Sequence, residues 1–179
     1  MKKVLFILGS LRKDSFNKAY AEIAMQKLAG KAEVTTMDYS ALPLFNQDLE
    51  SPVLPAVQKM RDDFATADII WIVSPVYNQN IPGTLKNVLD WASRKLDPAD
   101  RASKSIIAGK KVTLTVNSFT GQDKVIENLS TLLNYIGMEA VGEFTGNTIN
   151  KEVFAGGAFA LNEEGLSKLE AQVQAVLEA

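Results

Sequence analysis

The stretch VLFILGSLRKDSFNKAYAEIAMQKL, residues 4–28, decides the fold. It begins with an almost entirely apolar run, residues 4–8, which is typical of a strand buried on both faces of a parallel sheet. Residues 16–28 then carry apolar side chains at helical spacing, and Gly30 follows as a stop signal. Because a polar loop joins the two segments, the stretch predicts the opening strand, loop and helix of an α/β protein.

The same alternation continues along the chain. Further strands are predicted at residues 33–37, 69–73, 112–116 and 140–144, and further helices at residues 55–65, 82–95, 123–136 and 162–177. The run IIWIV at residues 69–73 contains no polar residue, which indicates a central position in the sheet. A long irregular connection, residues 38–55, follows the second strand.

Strands that alternate with helices predict an α/β fold with an open, doubly wound parallel sheet in three layers, α/β/α. Five strands fit the flavodoxin-like order 2-1-3-4-5 better than the six strands of a full dinucleotide-binding fold. The length of 179 residues fits a single domain, residues 1–179.

Composition excludes several classes of function. The chain has no cysteine and no histidine, which removes disulfides, thiolate nucleophiles, zinc-finger ligand sets and histidine acid–base catalysis, and no metal site is predicted. The reactive group of an enzyme with this composition is therefore borrowed from a cofactor. A net charge of −2 offers no broad basic surface for nucleic acid. No segment reaches the roughly 18 apolar residues of a membrane span, and we expect a soluble, cytoplasmic protein.

The loop after the first strand has the features of an anion site. It lies ahead of a helix whose N-terminus carries unpaired N–H groups and about half a positive charge. Ser10 and Ser15 supply hydroxyls, Asn17 an amide, and Arg12 a planar charged group suited to phosphate oxygens. A phosphate monoester fits better than a pyrophosphate, because the glycine pattern G-x-G-x-x-G is absent. The alternative is that Ser15 is only a helix cap and Arg12 only a surface charge.

Two other loops are expected at the same edge of the sheet, where ligands of such folds bind. In the second loop Pro75 stiffens the chain, and Tyr77 and Asn78 offer an aromatic ring and an amide. The third loop, residues 117–122, suits hydrogen bonding to the edge of a flat heterocycle through backbone and hydroxyl groups. Its candidate contacts are Ser118, Phe119, Thr120 and Gly121. Packing by Tyr77 and an ordinary strand-to-helix turn explain these two loops equally well.

These motifs together resemble a known family. The patterns G-S-L-R-x-x-S-x-N, S-P-V-Y-N and I-P-G-x-L-K-N-x-x-D-W are similar to those of the NADPH-dependent FMN reductases, over residues 1 to about 150. The resemblance implies that FMN is the bound cofactor and NADPH or NADH the hydride donor. For the FMN phosphate it implies Ser10, Arg12, Ser15, the backbone of Phe16, and Asn17. For the border of the isoalloxazine ring it implies Pro75, Val76, Tyr77 and Asn78.

The chain departs from the family pattern in the second and third loops. Many members carry a glutamate where Val76 stands and a serine at or next to Asn80, and their third loop is richer in glycine. Phe119 therefore narrows access to the ring in this interpretation. The departures bear on substrate preference and leave the phosphate contacts intact.

The resemblance implies an FMN-dependent NAD(P)H oxidoreductase that reduces quinones, azo compounds, flavins or similar small acceptors in a ping-pong cycle. No side chain is predicted to be catalytic, because flavin N5 carries the hydride. Two alternatives are a flavodoxin-like electron carrier without its own NAD(P)H oxidation, and a flavin-free regulator that binds a small phosphate metabolite.

The expected partners are a small-molecule acceptor and further copies of the chain, with neither nucleic acid nor a membrane. Members of the family usually pair through helices near the flavin, which implies a homodimer or homotetramer. The predicted helix 82–95 and the loop 94–110 are the candidate interface. The loop carries Arg94, Lys95, Arg101 and Lys104, which are candidates for the 2′-phosphate of NADPH, although a solvated charged loop explains them more simply.

Overall fold

The structure is a computed structural model that describes residues 1–97 and 99–179. Its strands are Lys2–Leu8 (β1), Ala32–Thr36 (β2), Ile69–Ser74 (β3), Lys111–Ser118 (β4), Glu139–Ala140 (β5) and Thr145–Thr148 (β6). Its α-helices are Phe16–Leu28 (α1), Pro55–Thr66 (α2), Gly83–Ala92 (α3), Gln122–Tyr135 (α4) and Glu163–Glu178 (α5). The helices predicted from apolar periodicity are confirmed, although α3 ends three residues earlier than expected.

The strands form one parallel sheet in the order β2-β1-β3-β4-β5, and β6 also pairs with β4. The flavodoxin-like order predicted from the sequence is therefore confirmed. β3 lies in the middle with all six residues buried, because helices cover both faces of the sheet. Helices α2, α3 and α4 pack on one face, and α1 and α5 pack on the other.

The prediction of one fifth strand over residues 140–144 is wrong. The chain forms two short strands, β5 and β6, which pair with opposite ends of β4. Between them Gly142 has a φ of +63°, and a Cβ there would lie 2.8 Å from the Cβ of Ala175 in α5. This close approach to α5 interrupts the strand, because the chain needs a left-handed residue to pass the helix.

The end of β4 also differs from the prediction. The sequence indicated a strand that stops at residue 116 and a loop over residues 117–122, but β4 continues through Ser118. The extension is stabilised by β6, which aligns Asn117 with Asn147 and Ser118 with Thr148. Asn117 and Ser118 are consequently held in a sheet, and the true loop is shorter.

No helix within the described ranges combines the length and the apolar character that crossing a lipid bilayer requires.

Candidate functional site

The carboxyl ends of β1, β3 and β4 bring the three predicted loops together. The N–H of Gly9 donates to the carbonyl of Val73 at 2.8 Å, and a Cβ on Gly9 would lie 3.0 Å from Cδ of Pro75. Glycine at this position thus lets the first loop cross directly over the second. Between the loops lies a cavity of about 220 Å³. Its lining residues are Ser10, Arg12, Ser15, Phe16, Asn17, Pro75, Val76, Tyr77, Asn117, Ser118, Phe119 and Ile149.

The turn between β1 and α1 presents several unpaired donors to this cavity. Ser15 caps α1, its Oγ accepting from the N–H of Lys18 at 3.1 Å. Ser10 Oγ accepts from the N–H of Arg12 at 3.3 Å and from the hydroxyl of Tyr77 at 3.2 Å. Both serine hydroxyls therefore keep their own hydrogens available to a ligand. The N–H groups of Phe16 and Asn17, in the first turn of α1, have no acceptor in the described part of the chain.

Arg12 provides the positive charge at the mouth of the cavity. Its guanidinium lies over the ring of Phe16, 5.1 Å from the ring centroid, which orients the charged group through a cation–π contact. Across residues 1–97 and 99–179 it forms no ion pair with a carboxylate. Its charge is therefore free to meet an anion that also contacts the helix N-terminus.

The second loop is a tight turn with a strained backbone. Tyr77 and Asn80 exchange backbone hydrogen bonds of 3.1 and 3.0 Å, while Asn78 and Gln79 have φ values of +52° and +59°. Such left-handed residues are costly outside glycine and cluster at functional sites. The turn leaves the Tyr77 ring half exposed at the rim of the cavity, whereas Asn78 at its tip lies outside the lining.

The third loop brings two of its four candidate residues to the cavity. Ser118 and Phe119 line the cavity, but Thr120 and Gly121 do not. Gly121 has a φ of +81°, and a Cβ on it would collide with the side chain of Gln79. Its position therefore allows the second and third loops to close against each other.

Several residues near the cavity were not among the predicted contacts, although Asn117 belongs to the loop predicted over residues 117–122. Asn117 and Ile149 join the lining, and the segment 151–161, which we call the C-terminal aromatic segment, packs against it. Phe119 stacks on Phe154 with ring centroids 4.6 Å apart, and Phe16 stacks on Phe159 at 6.2 Å. Two aromatic residues flanking a glycine pair, FAGGAF at residues 154–159, are the sequence signal that identifies this segment. No comparable signal marks Ile149, since its place depends on the pairing of β6 with β4.

Tyrosines beneath the site are held in their neutral form. Burial raises the pKa of Tyr20 to about 12, although hydrogen bonds with Thr115 and Asn147 oppose the shift. Burial likewise raises the pKa of Tyr39, whose hydroxyl donates to the carbonyl of Leu8 at the end of β1. Neither side chain loses its proton near neutral pH, and Tyr39 instead fixes the start of the first loop.

The third sequence motif, on α3, has a structural role. The side chains of Asn87 and Trp91 donate to the carbonyl of Pro43 at 2.9 and 2.8 Å, and Asn87 also accepts from the N–H of Phe45 at 2.8 Å. These bonds hold the irregular connection 38–55 against α3. Arg94 continues this contact, because it pairs with Glu50 and lies over the Phe45 ring.

Residue 98 of the loop 94–110 lies outside the described residues. Within it Lys95 donates to the carbonyl of Arg101 at 2.9 Å. The Lys95 ammonium is therefore occupied inside its own loop.

A larger cavity of about 800 Å³ lies at the opposite edge of the sheet, among the amino ends of β1, β3 and β4. Its lysines are occupied: Lys2 donates to the carbonyl of Leu177 at 2.8 Å, and Lys110 to that of Ala67 at 2.7 Å. Ligands of open parallel sheets bind at the carboxyl ends of the strands. Although this cavity is larger, its position at the amino ends of the strands makes the smaller cavity at the carboxyl ends the candidate site.

The sheet order defines a flavodoxin-like protein, and its candidate site is the cavity beside the donor-rich first turn. The chain belongs to the NADPH-dependent FMN reductase family, whose model matches residues 2–150. This confirms the resemblance found in the sequence. FMN and NAD(P)H are the cofactors of that family.

Individual relatives support the assignment. Over 92 residues the chain is 40% identical to the 2-hydroxy-1,4-benzoquinone reductase of a Burkholderia species. The aligned region covers 51% of this chain and 50% of that protein. It is 32% identical to a quinone reductase of Escherichia coli strain K12 over 84% of this chain and 80% of the relative. The chain thus spans about half the length of the first relative.

A solved structure supports the fold. That of FerB, a flavoenzyme NAD(P)H:(acceptor) oxidoreductase from Paracoccus denitrificans, superposes with a TM-score of 0.84. The alignment covers 99% of this chain and 96% of FerB at 24% identity.

Proposed function

We propose that this chain is a single FMN-binding domain that acts as an NAD(P)H-dependent oxidoreductase and reduces quinones, azo compounds, flavins or similar small acceptors. Membership of the FMN reductase family supports the reaction class. The observation that carries the proposal for this chain is the set of unpaired donors at the β1–α1 turn. Bound FMN supplies the hydride-transfer chemistry, at its N5.

The residues of the first loop fit the phosphate of a mononucleotide. A phosphate dianion carries no proton of its own and can only accept hydrogen bonds. The turn offers it donors: the hydroxyls of Ser10 and Ser15, the N–H groups of Phe16 and Asn17, and the guanidinium of Arg12. Donors of this kind at a helix N-terminus favour a dianionic group. The cavity of about 220 Å³ is smaller than the roughly 300 to 1,000 Å³ of most small-molecule sites, so it matches the phosphate end and leaves the ring for the rim.

The second and third loops fit a flat ring at that rim. Pro75, Val76 and Tyr77 of the second loop and Phe119 of the third loop all line the cavity. We propose that Asn78, Thr120 and Gly121 shape this border through the backbone of their turns. Tyr77 is 48% exposed and Phe119 is 36% exposed, so both residues offer apolar surface to a planar donor or acceptor.

No side chain is proposed to move a proton. Tyr20 and Tyr39 are buried and hold their protons, and Asp90 pairs with Lys86 at 2.6 Å on α3. The chain's contribution is to bind and orient the cofactor and to exclude water from one side of it.

The reaction is tested with purified protein saturated with FMN. NADPH or NADH oxidation is followed at 340 nm with a quinone, an azo dye or free flavin as the acceptor. Steady turnover that depends on the acceptor supports the proposal. Bound FMN without oxidation of either nucleotide supports an electron carrier, and a protein that stays colourless after dialysis against FMN supports a flavin-free phosphate-binding regulator.

The phosphate contact is tested with Arg12→Ala. Loss of a charge-assisted hydrogen bond is expected to weaken FMN binding by about 1.5–3 kcal/mol, measured by quenching of flavin fluorescence. Lys13→Ala is the matched control, because it removes an exposed charge next to Arg12 without touching the cavity. Equal affinities of the two variants would assign Arg12 to the surface.

For assembly and location we propose a homodimer or homotetramer in the cytoplasm, which binds neither nucleic acid nor a membrane. Family resemblance supports the pairing, with α3 and the loop after it as the interface. Light scattering coupled to size-exclusion chromatography measures the mass, and a monomer across the working concentration range would contradict the proposal.

A further inference from the structure

Three buried asparagines form a chain of hydrogen bonds that runs from the candidate phosphate site, across β4, to the neighbouring strand β6. Asn17 on α1, Asn117 on β4 and Asn147 on β6 are 3%, 0% and 5% exposed. The side chain of Asn147 donates to Oδ1 of Asn117 at 3.1 Å, and that of Asn117 donates to Oδ1 of Asn17 at 3.3 Å. We call these three side chains the amide relay. Of these three residues, Asn17 and Asn117 line the cavity and Asn147 does not.

The relay has a direction, because each amide accepts at its oxygen and donates at its nitrogen. With the Asn17 oxygen occupied by Asn117, the Nδ2 group of Asn17 remains without an acceptor in residues 1–97 and 99–179. The reverse direction would turn the Asn17 oxygen, an acceptor, toward the donor-rich turn. A phosphate at that turn needs donors, so the observed direction is the one that suits it.

The other end of the relay carries an unusual group. Asn147 Oδ1 is buried and has no hydrogen-bond partner in the described part of the chain. Helix α5 covers it, since a Cβ on Gly165 would lie 3.2 Å from this oxygen. A buried unpaired carbonyl costs free energy, and such groups are rare in folded proteins. The unpaired oxygen lies at the end of the relay opposite to the Asn17 amide.

We propose that Asn117 and Asn147 are positioning residues that hold the Asn17 amide with its NH₂ group toward the FMN phosphate. The relay thereby favours FMN over riboflavin, which has the same ring without the phosphate. Asn147 acts through Asn117, and its place on β6 ties the register of that short strand to the anion site. This inference rests on the proposed function.

The test measures the dissociation constants of FMN and riboflavin for the wild type and for Asn117→Leu and Asn147→Leu. Asn117→Leu removes the donor to Asn17, and we expect the preference for FMN to fall about tenfold, the effect of one hydrogen bond to a charged group. Asn147→Leu leaves the cavity lining intact and frees Asn117 to rotate, so its preference falls by a smaller factor of about three. Riboflavin affinity stays near the wild-type value in both.

Thr113→Val is the matched control. Thr113 is a buried polar residue on the same side of β4, but it contacts Gln172 rather than the relay. The preference of the Thr113→Val variant for FMN over riboflavin therefore stays unchanged. If Asn117→Leu fails to fold, Asn147→Leu alone decides the question. A wild-type preference in both Leu variants, or an equal loss of FMN and riboflavin, overturns the relay. A wild type that does not prefer FMN overturns the proposed function together with it.

Discussion

The two faces of β4 are buried to the same extent but consist of different chemistry. Val112, Leu114 and Val116 face α2, α3 and α4 in an apolar core. Thr113, Thr115 and Asn117 point to the opposite face, and all six side chains are 0% exposed. Burial alone therefore does not distinguish a face that only stabilises the sheet from one that leads to the candidate site.

The polar face is organised around Gln172 of α5. Its amide donates to Thr113 Oγ1 and to the carbonyl of Leu114, both at 3.0 Å, and accepts from the hydroxyls of Thr115 and Thr145, both at 2.9 Å. Fully paired networks of this kind fix one arrangement of the core. Asn117 lies on the same face of β4 as Thr113 and Thr115 and also lines the cavity. The position of β4 in the sheet therefore places both the network and this part of the candidate site.

The largest expected effect comes from the apolar face. Leu114→Ala leaves a cavity among fully buried side chains and is expected to lower the free energy of unfolding by about 2–5 kcal/mol. Urea denaturation measures the change. Where the folded variant is assayed, its preference for FMN over riboflavin should match the wild type, because Leu114 lies on the face away from the relay. A change in that preference would break the distinction between the two faces.

A smaller loss is expected from the polar face. Gln172→Leu keeps the approximate volume but leaves the hydroxyls of Thr113, Thr115 and Thr145 to re-pair, at a cost of about 1–3 kcal/mol in unfolding free energy. Gln174→Leu, on the exposed side of the same helix, serves as the control and should stay within about 0.5 kcal/mol. Equal stability of the two variants would show that the network contributes nothing.

The smallest effect is a pH dependence on the polar face. Burial raises the pKa of Tyr20 from 10.0 to about 12 in the folded chain, so the unfolded chain loses this proton first as the pH rises. The contribution of neutral, buried Tyr20 to the free energy of unfolding is therefore fully present below pH 10 and is lost between pH 10 and 12. Between pH 9 and 11 the wild type should lose about 1.4 kcal/mol more than Tyr20→Phe. Parallel stability curves in urea at these pH values would contradict a buried, neutral Tyr20.

Local sequence patterns predicted the parts of the site that depend on neighbouring residues. The turn from β1 into α1 is contiguous, so Ser10, Arg12, Ser15 and Asn17 could be grouped without knowing the fold, and all four line one cavity. Thr113 and Thr115 alternate with apolar residues, a pattern that usually indicates one solvated face. Because α5 covers that face with Gln172, the same pattern here indicates a buried network.

Other features depend on segments that are distant in sequence. The extension of β4 through Ser118 requires β6, and the interruption before β6 requires the close approach of Gly142 to α5. Trp91 in the α3 motif is bonded to Pro43 of the irregular connection, which no spacing within the motif reveals. The aromatic contact of Phe154 with Phe119 likewise joins two segments that are 35 residues apart in sequence.

The sequence by itself determined the alternation of strands and helices, the family and the cluster of hydrogen-bond donors in the first turn, since each follows from residues adjacent along the chain. Only the tertiary structure decided that Asn117 and Asn147 are aligned beneath that turn, and that Asn78, Thr120 and Gly121 lie outside the cavity. The physical reason is that hydrogen-bond direction and steric closure are set by pairs of groups, and these pairs form only when separate elements pack together.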